Sequence, residues 1–403
     1  MKSIPAMPED QVASVLQGIG LHATCYGCPD DVLPLLREDA AIYRGRGATE
    51  VELLRAHVMV RIGSAGMSDV LLPYVLEELE TGLNPHALAA AARVARGVYH
   101  LPPEMPRLLM AAIDRIRHVD QFVQFDAYPP PSTGGYTTAV DELVETLAST
   151  GIGGRSELMA LRKDVESGGH LTSRARALLR DVLDAIGKDA NQTSATSDCC
   201  AGAARAEPSI VAAPRAHECS REHCSSADSQ PLVSSIALLH NVELENQDGT
   251  RATFGQIFEG RPAVIGFFYT RCMNPNKCSR TISKLAALSQ LLQTSPANGT
   301  ATVAAISYDP DYDVSPRLRR YGEDRNWPFG DRYQLLRTTG SFAAVVDALR
   351  LGVGYGPTTV NRHRIELMLI DATGVIRDLR VRRLWNEADV LNVLSSVAMV
   401  SRS

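Results

Sequence analysis

The stretch FFYTRCMNPNKCSRTISKLAAL, residues 267–288, decides how the second half of the chain is read. Its opening belongs to AVIGFFYT (263–270), an uninterrupted apolar run with the length and residue types of a buried strand. Its end belongs to SRTISKLAALSQLLQT (279–294), whose apolar residues recur with a helical period. A short polar loop between them holds Cys272 and Cys278. A helix N-terminus favours negative charge, so a thiol placed there loses its proton more readily. Two soft sulfurs at the edge of a sheet also suit Cu(I). The residues leave two uses open, metal chelation and dithiol redox work, beside a pair of inert buried thiols.

Working outward, TATVAAISYD (300–309) reads as a second buried strand. ALLHNVELENQDGTRATF (237–254) reads as a hairpin turning at Asp248-Gly249. SPRLRRYGEDR (315–325) begins a helix with Ser315 expected as its N-cap. RIELMLIDATGVIRDLRVR (364–382) reads as two strands around Ala372–Gly374, and EADVLNVLSSVAMV (387–400) as the last helix. Strands alternating with helices predict an α/β domain with a mixed sheet over 232–403. Asp309, Asp311 and Asp313 alternate as in some Ca²⁺ loops, but the loop glycine and closing Glu are missing, so a solvated acidic loop is expected.

These landmarks together resemble the Sco/SenC family, copper-binding proteins of thioredoxin fold that assist assembly of the copper centre of cytochrome oxidase. GRPAVIGFFYTRC resembles the family's strand leading into its cysteine loop. AISYDPDYDVSPRLRRYG resembles its Ser-x-Asp-Pro-x-x-Asp segment, and VNRHRIELMLIDATGVI its histidine segment, with His363 six residues before Leu369-Ile370-Asp371. The resemblance covers about residues 232–400 and implies a thioredoxin-like fold and a copper site of Cys272, Cys278 and His363. Two thiolates and an imidazole hold Cu(I) well and can also hold Cu(II). Arg362 and Arg364 flank His363 and are expected to keep the thiols deprotonated and the imidazole neutral. Five residues, MNPNK, separate the cysteines where the family has three. A thioredoxin would place a cis-proline before the strand facing the dithiol. Here Arg362-His363-Arg364 stands there, and no peroxiredoxin Pro-x-x-x-Thr-x-x-Cys occurs.

Residues 1–187 read as helix throughout, in amphipathic runs separated by Gly, Pro and Asp or Asn. TEVELLRAHVMVRIG (49–63), MSDVLLPYVLEELETG (67–82), NPHALAAAARVARGV (84–98) and PPEMPRLLMAAIDRIRHV (102–119) lead; Asn84 and Pro85 supply an N-cap and a first helical residue. TTAVDELVETLAST, RSELMALRKDVESG and TSRARALLRDVLDAIG follow, after a proline-rich loop at 126–136. Short loops between such helices resemble a HEAT-like helical repeat, with a compact bundle as the alternative. Residues 188–231 are rich in Ser, Ala and Pro and are expected to form a flexible linker. That linker holds Cys199, Cys200, His217, Cys219, His223 and Cys224, which can bind a soft metal or exchange thiols with the Cys272/Cys278 pair. Cys25 and Cys28 form a Cys-x-x-Cys among the helices, a weak zinc signal with no second pair nearby.

The 403 residues suit two or three domains. From residue 232 onward 20 Lys and Arg oppose 16 Asp and Glu, net +4, which leaves −9 for the rest of a chain of net −5. An acidic helical half facing a basic α/β half suggests that one docks on the other, or on another basic partner. Near-balanced charge and 5% aromatics argue against nucleic acid as the partner. No long uncharged apolar stretch predicts membrane insertion. The opening MKSIPAMPEDQVASVLQGIG lacks the apolar core of a secretory signal, so a cytoplasmic location is expected. The expectation for function is a Sco-like copper-binding and thiol-redox protein, its helical domain docking a protein partner. A thiol–disulfide oxidoreductase and a non-catalytic interaction scaffold are the alternatives.

Overall fold

A computed structural model describes residues 7–25, 32–126, 128, 137–194, 235–294 and 301–400. The described residues gather around two hydrophobic cores, one drawn from residues 12–186 and the other from 236–394.

The first core is helical. Its helices are α1 (Glu9–Cys25), α2 (Ala48–Ile62), α3 (Leu72–Thr81), α4 (Pro85–Ala95), α5 (Met105–Ile116), α6 (Ala139–Ser149), α7 (Arg155–Glu166) and α8 (Ser173–Ser194). A two-residue ribbon, β1 (Phe122–Val123) with β2 (Thr137–Thr138), precedes α6. The caps follow from local chemistry. Asn84 accepts from the amides of His86 and Ala87, with Pro85 next, as expected. Thr138 and Asp141 close a reciprocal capping box on α6 that the sequence reading passed over. Helix α8 runs on to Ser194, past the expected end at residue 187. One glycine inside a helix costs only about 1 kcal/mol, too little to stop it.

The second core surrounds a seven-stranded mixed sheet. Its strands are β3 (Glu243–Asn246), β4 (Arg251–Thr253), β5 (Ala263–Phe268), β6 (Thr302–Ser307), β7 (Tyr333–Thr338), β10 (Glu366–Ile370) and β11 (Ile376–Val381), in the order β11-β10-β5-β6-β7-β3-β4. β5, β6 and β7 run parallel, and β5 and β6 are buried along their whole length, as strands covered on both faces must be. β3 and β4 form the expected hairpin, with Gly249 at φ +78° in its turn. Helix α9 (Phe254–Phe258) follows that hairpin, and α10 (Arg280–Thr294) packs on β5. Gly266 permits this packing, because a Cβ there would lie 2.7 Å from Leu285. Helices α11 (Ser315–Glu323), α12 (Ala343–Leu349) and α13 (Glu387–Val400) complete this half. A separate ribbon pairs β8 (Val353–Tyr355) with β9 (Val360–His363).

Two local expectations fail. Ser315 lies inside α11 and does not cap it; its hydroxyl donates to Glu245 while Val314 holds the cap position. Asp313 is fully buried rather than solvated, because the Thr270 amide and the Ser307 hydroxyl both donate to it.

The two halves are docked on each other, as their opposite charges suggested. Arg382 donates to Glu38 at 2.7 Å and to Glu77 at 2.6 Å, with its guanidinium 4.2 Å from the Tyr74 ring centre. Arg362 pairs with Glu78. The Asn361 amide donates to the carbonyls of Tyr43 and Arg46, both at 3.0 Å. Backbones meet closely: a Cβ on Gly354 would lie 2.2 Å from the Glu38 carbonyl oxygen.

Candidate metal centre

Each candidate ligand is placed by a different local device. Strand β5 ends at Phe268 and delivers Cys272 four residues later, its amide bonded to the Tyr269 carbonyl. Asn274 then caps a short turn at 275–279 by accepting from the Asn276 amide, with Pro275 at its start. That turn carries Cys278 and leads directly into α10. The five residues between the cysteines are thus folded into a turn that returns the second sulfur toward the first. His363 is the last residue of β9 and pairs in register with Val353.

The three side chains converge. His363 Nε2 lies 3.5 Å from Cys272 Sγ and 3.3 Å from Cys278 Sγ, and all three ligand atoms fall within 4.8 Å of one another. Among the described residues this is the one such grouping of His, Cys, Asp or Glu. His363 Nδ1 is 3.1 Å from the Arg364 carbonyl oxygen. A carbonyl only accepts, so Nδ1 carries a proton and Nε2 is the ring nitrogen that faces the sulfurs. Such a partner on the far nitrogen is the usual way a ligating imidazole is oriented. Tyr269 meets the His363 ring edge-on at 5.5 Å, and Tyr308 lies 5.4 Å away on a tilted plane. Tyr308 donates to buried Glu366 at 2.8 Å.

The sulfurs are not equivalent. Cys272 is partly exposed, whereas Cys278 and His363 are buried. A hydrogen bond from the Cys278 thiol, followed by His363, holds the Cys272 thiol well below the usual range. Burial, reinforced by the neighbouring Cys272 sulfur, pushes Cys278 up. Cys272 is therefore the exposed thiolate and Cys278 the buried partner. Two sulfurs and one imidazole, with no carboxylate among them, form a donor set that fits copper.

The flanking arginines behave otherwise than expected. Arg362 turns to Glu78 and Arg364 to Glu366, so both are neutralised away from the sulfurs. The cation beside the buried thiol is Lys277, whose ammonium donates to the His363 carbonyl at 3.0 Å and to Glu77 at 3.0 Å. Its place directly before Cys278 was the available signal. Nothing in the sequence linked it to a carboxylate 200 positions away. Cys28, Cys199, Cys200, His217, Cys219, His223 and Cys224 lie outside the described residues, and Cys25 ends the backbone of α1.

Residues 236–397 match the SCO1/SenC family model. Similar solved structures include copper-bound ScoI of Arabidopsis thaliana, with 20% identity over 38% of this chain and 94% of that one and a TM-score of 0.32. Copper-bound ScoI of Bradyrhizobium japonicum shows 20% identity over 39% and 96%, with a TM-score of 0.32. Copper-bound yeast Sco1 shows 24% identity over 38% and 88%, with a TM-score of 0.30. No curated protein matches the chain. It is the C-terminal part of the chain, residues 236–397, that is similar to the SCO1/SenC family.

Proposed function

We propose that this chain binds copper through Cys272, Cys278 and His363 and works as a Sco-like copper-binding and thiol-redox protein. The observation that carries the reading is the convergence of two sulfurs and Nε2 within 4.8 Å, with the imidazole ring oriented by the Arg364 carbonyl. Copper enters as cargo held by soft donors, and the partly exposed Cys272 is the side from which a partner reaches it. Residues 1–187 and 232–403 act as two domains joined by 188–231, the helical one also offering a surface to a protein partner. Among the described residues no helix is long and apolar enough to cross a membrane. A cytoplasmic location, where thiols are kept reduced, would suit this role.

The unequal cysteines favour a second reading, a thiol–disulfide oxidoreductase. The Cys272 thiolate would attack a substrate disulfide and release one substrate thiolate. Cys278, losing its proton, would then attack the Cys272 sulfur and release the second. The substrate gains two electrons and the Cys272/Cys278 pair closes as a disulfide.

An anaerobic Cu(I) titration against a competing chelator separates the readings. Wild type is compared with His363→Ala, Cys272→Ser and Cys278→Ser. Tight one-to-one binding that falls with each variant is expected. Absence of tight binding, with a dithiol that still reduces a model disulfide, would favour the oxidoreductase. Loss of both, with partner binding intact, would favour an interaction scaffold.

A further inference from the structure

The ammonium of Lys277 joins the two buried ligands from behind. Lys277 precedes Cys278 in the chain, and its Nζ donates to the backbone carbonyl of His363 at 3.0 Å. One cation therefore fixes the peptide of the third ligand relative to the peptide of the second. Lys277 is only 7% exposed, and a buried ammonium needs a carboxylate. That carboxylate is Glu77, fully buried on helix α3 of the helical half, at 3.0 Å. Its other oxygen accepts from Arg382 at 2.6 Å, so Glu77 is itself aimed from both sides. A second tether runs beside the first: the Asn274 amide, in the loop between the cysteines, donates to the Thr81 carbonyl at the end of α3 at 2.8 Å. Helix α3 thus holds the cysteine loop at two points.

We propose that Glu77 is a positioning residue of the metal centre, supplied by the helical half and acting through Lys277 on Cys278 and His363. Outer hydrogen-bonding partners that orient metal ligands typically change metal affinity about 10- to 100-fold when lost. Linkage then makes the effect reciprocal: occupancy of the site tightens the docking of the two halves by the factor that docking tightens the site. The inference deepens the copper reading and rests on it for its affinity arm alone.

The test uses the full chain and two readouts. One is hydrogen exchange of the β9 amides, Val360–His363, in copper-free protein. The other is Cu(I) affinity against a competing chelator. The variants are Glu77→Gln, Lys277→Met, the double substitution and Glu104→Gln. Glu104 pairs with Arg383 across the same interface, away from the ligands, and serves as the control. Glu77→Gln and Lys277→Met are each expected to speed exchange in β9 and to lower affinity about 10- to 100-fold. The double variant should be no weaker than Lys277→Met, because Glu77 acts through Lys277. Glu104→Gln should match wild type. Wild-type behaviour of Glu77→Gln, an equal loss in Glu104→Gln, or losses that add in the double variant would each overturn the proposal. If wild type binds no copper but β9 exchange responds as expected, the copper reading fails and the positioning role stands. Should Glu77→Gln not fold, Lys277→Arg decides: retention of wild-type exchange where Lys277→Met loses it supports the role, and equal behaviour of the two overturns it.

Discussion

The two halves of the molecule differ in what they bring to their junction. The helical half offers mainly carboxylates: Glu38, Glu77 and Glu78, each under 5% exposed. The α/β half offers cations, Lys277, Arg362 and Arg382, together with the whole ligand set. Arg55 is the exception, a buried cation on the helical side 3.7 Å from Glu38. Either half alone would carry charges that water must cover. Docked, they pair with one another beneath the candidate site. Buried ion pairs are weak sources of net stability but costly to break singly. The junction is thus better understood as a register device than as glue. It sets where the cysteine loop and the end of β9 stand relative to each other.

Substitutions on the two sides should separate these roles. The largest effect belongs to the ligands. Cys278→Ser or His363→Ala should reduce Cu(I) affinity by more than the roughly 100-fold upper range for losing an outer partner. Chelator competition reads this, and thermal unfolding of the copper-free protein should change far less. Next comes Arg382→Met, which leaves Glu38 and Glu77 without their shared cation. Breaking a buried pair from one side should cost about 3–5 kcal/mol, visible as a lower urea midpoint. An unchanged midpoint would mean that the halves are not held in this way.

Acid should act on the same junction. Burial alone would raise the Glu38 carboxyl, but Arg382 and then Arg55 hold it down to about 2, against 4.5 for a free glutamate. A depressed carboxylate stabilises the folded state above its unfolded pKa and loses that contribution as pH falls through the folded value. The stability difference between wild type and Glu38→Gln should therefore be full above about pH 5 and shrink toward pH 2. A difference independent of pH would remove Glu38 from the ion network. The smallest effect is expected of Glu104→Gln. Its partner Arg383 is 58% exposed at the side chain, so the pair should contribute no more than about 1 kcal/mol.

The α/β half was readable because its signals are local. Apolar runs gave β5 and β6, Asp248-Gly249 gave the hairpin turn, and the cysteine loop lay between a strand and a helix. His363 was reached through family resemblance, since nothing local marks it as a ligand. Its burial and its hold on the Arg364 carbonyl depend on β9 pairing with β8. Asp313 and Ser315 differ from expectation because Thr270 and Glu245, partners far away in sequence, hold them, with nearby Ser307 adding to the hold on Asp313. Glu77 was invisible on the same ground. On helix α3 it is one acidic residue among three, and only the docked fold shows that it faces Lys277. Net charge did carry the coarse message that an acidic half and a basic half belong together.

X-ray absorption at the copper edge of the Cu(I)-loaded full chain tests the central claim most directly. The account predicts two sulfur scatterers and one imidazole nitrogen in wild type, with the imidazole signal lost in His363→Ala. A shell of three or more sulfurs would place the metal on other cysteines, such as Cys199, Cys200, Cys219 or Cys224, and would contradict it.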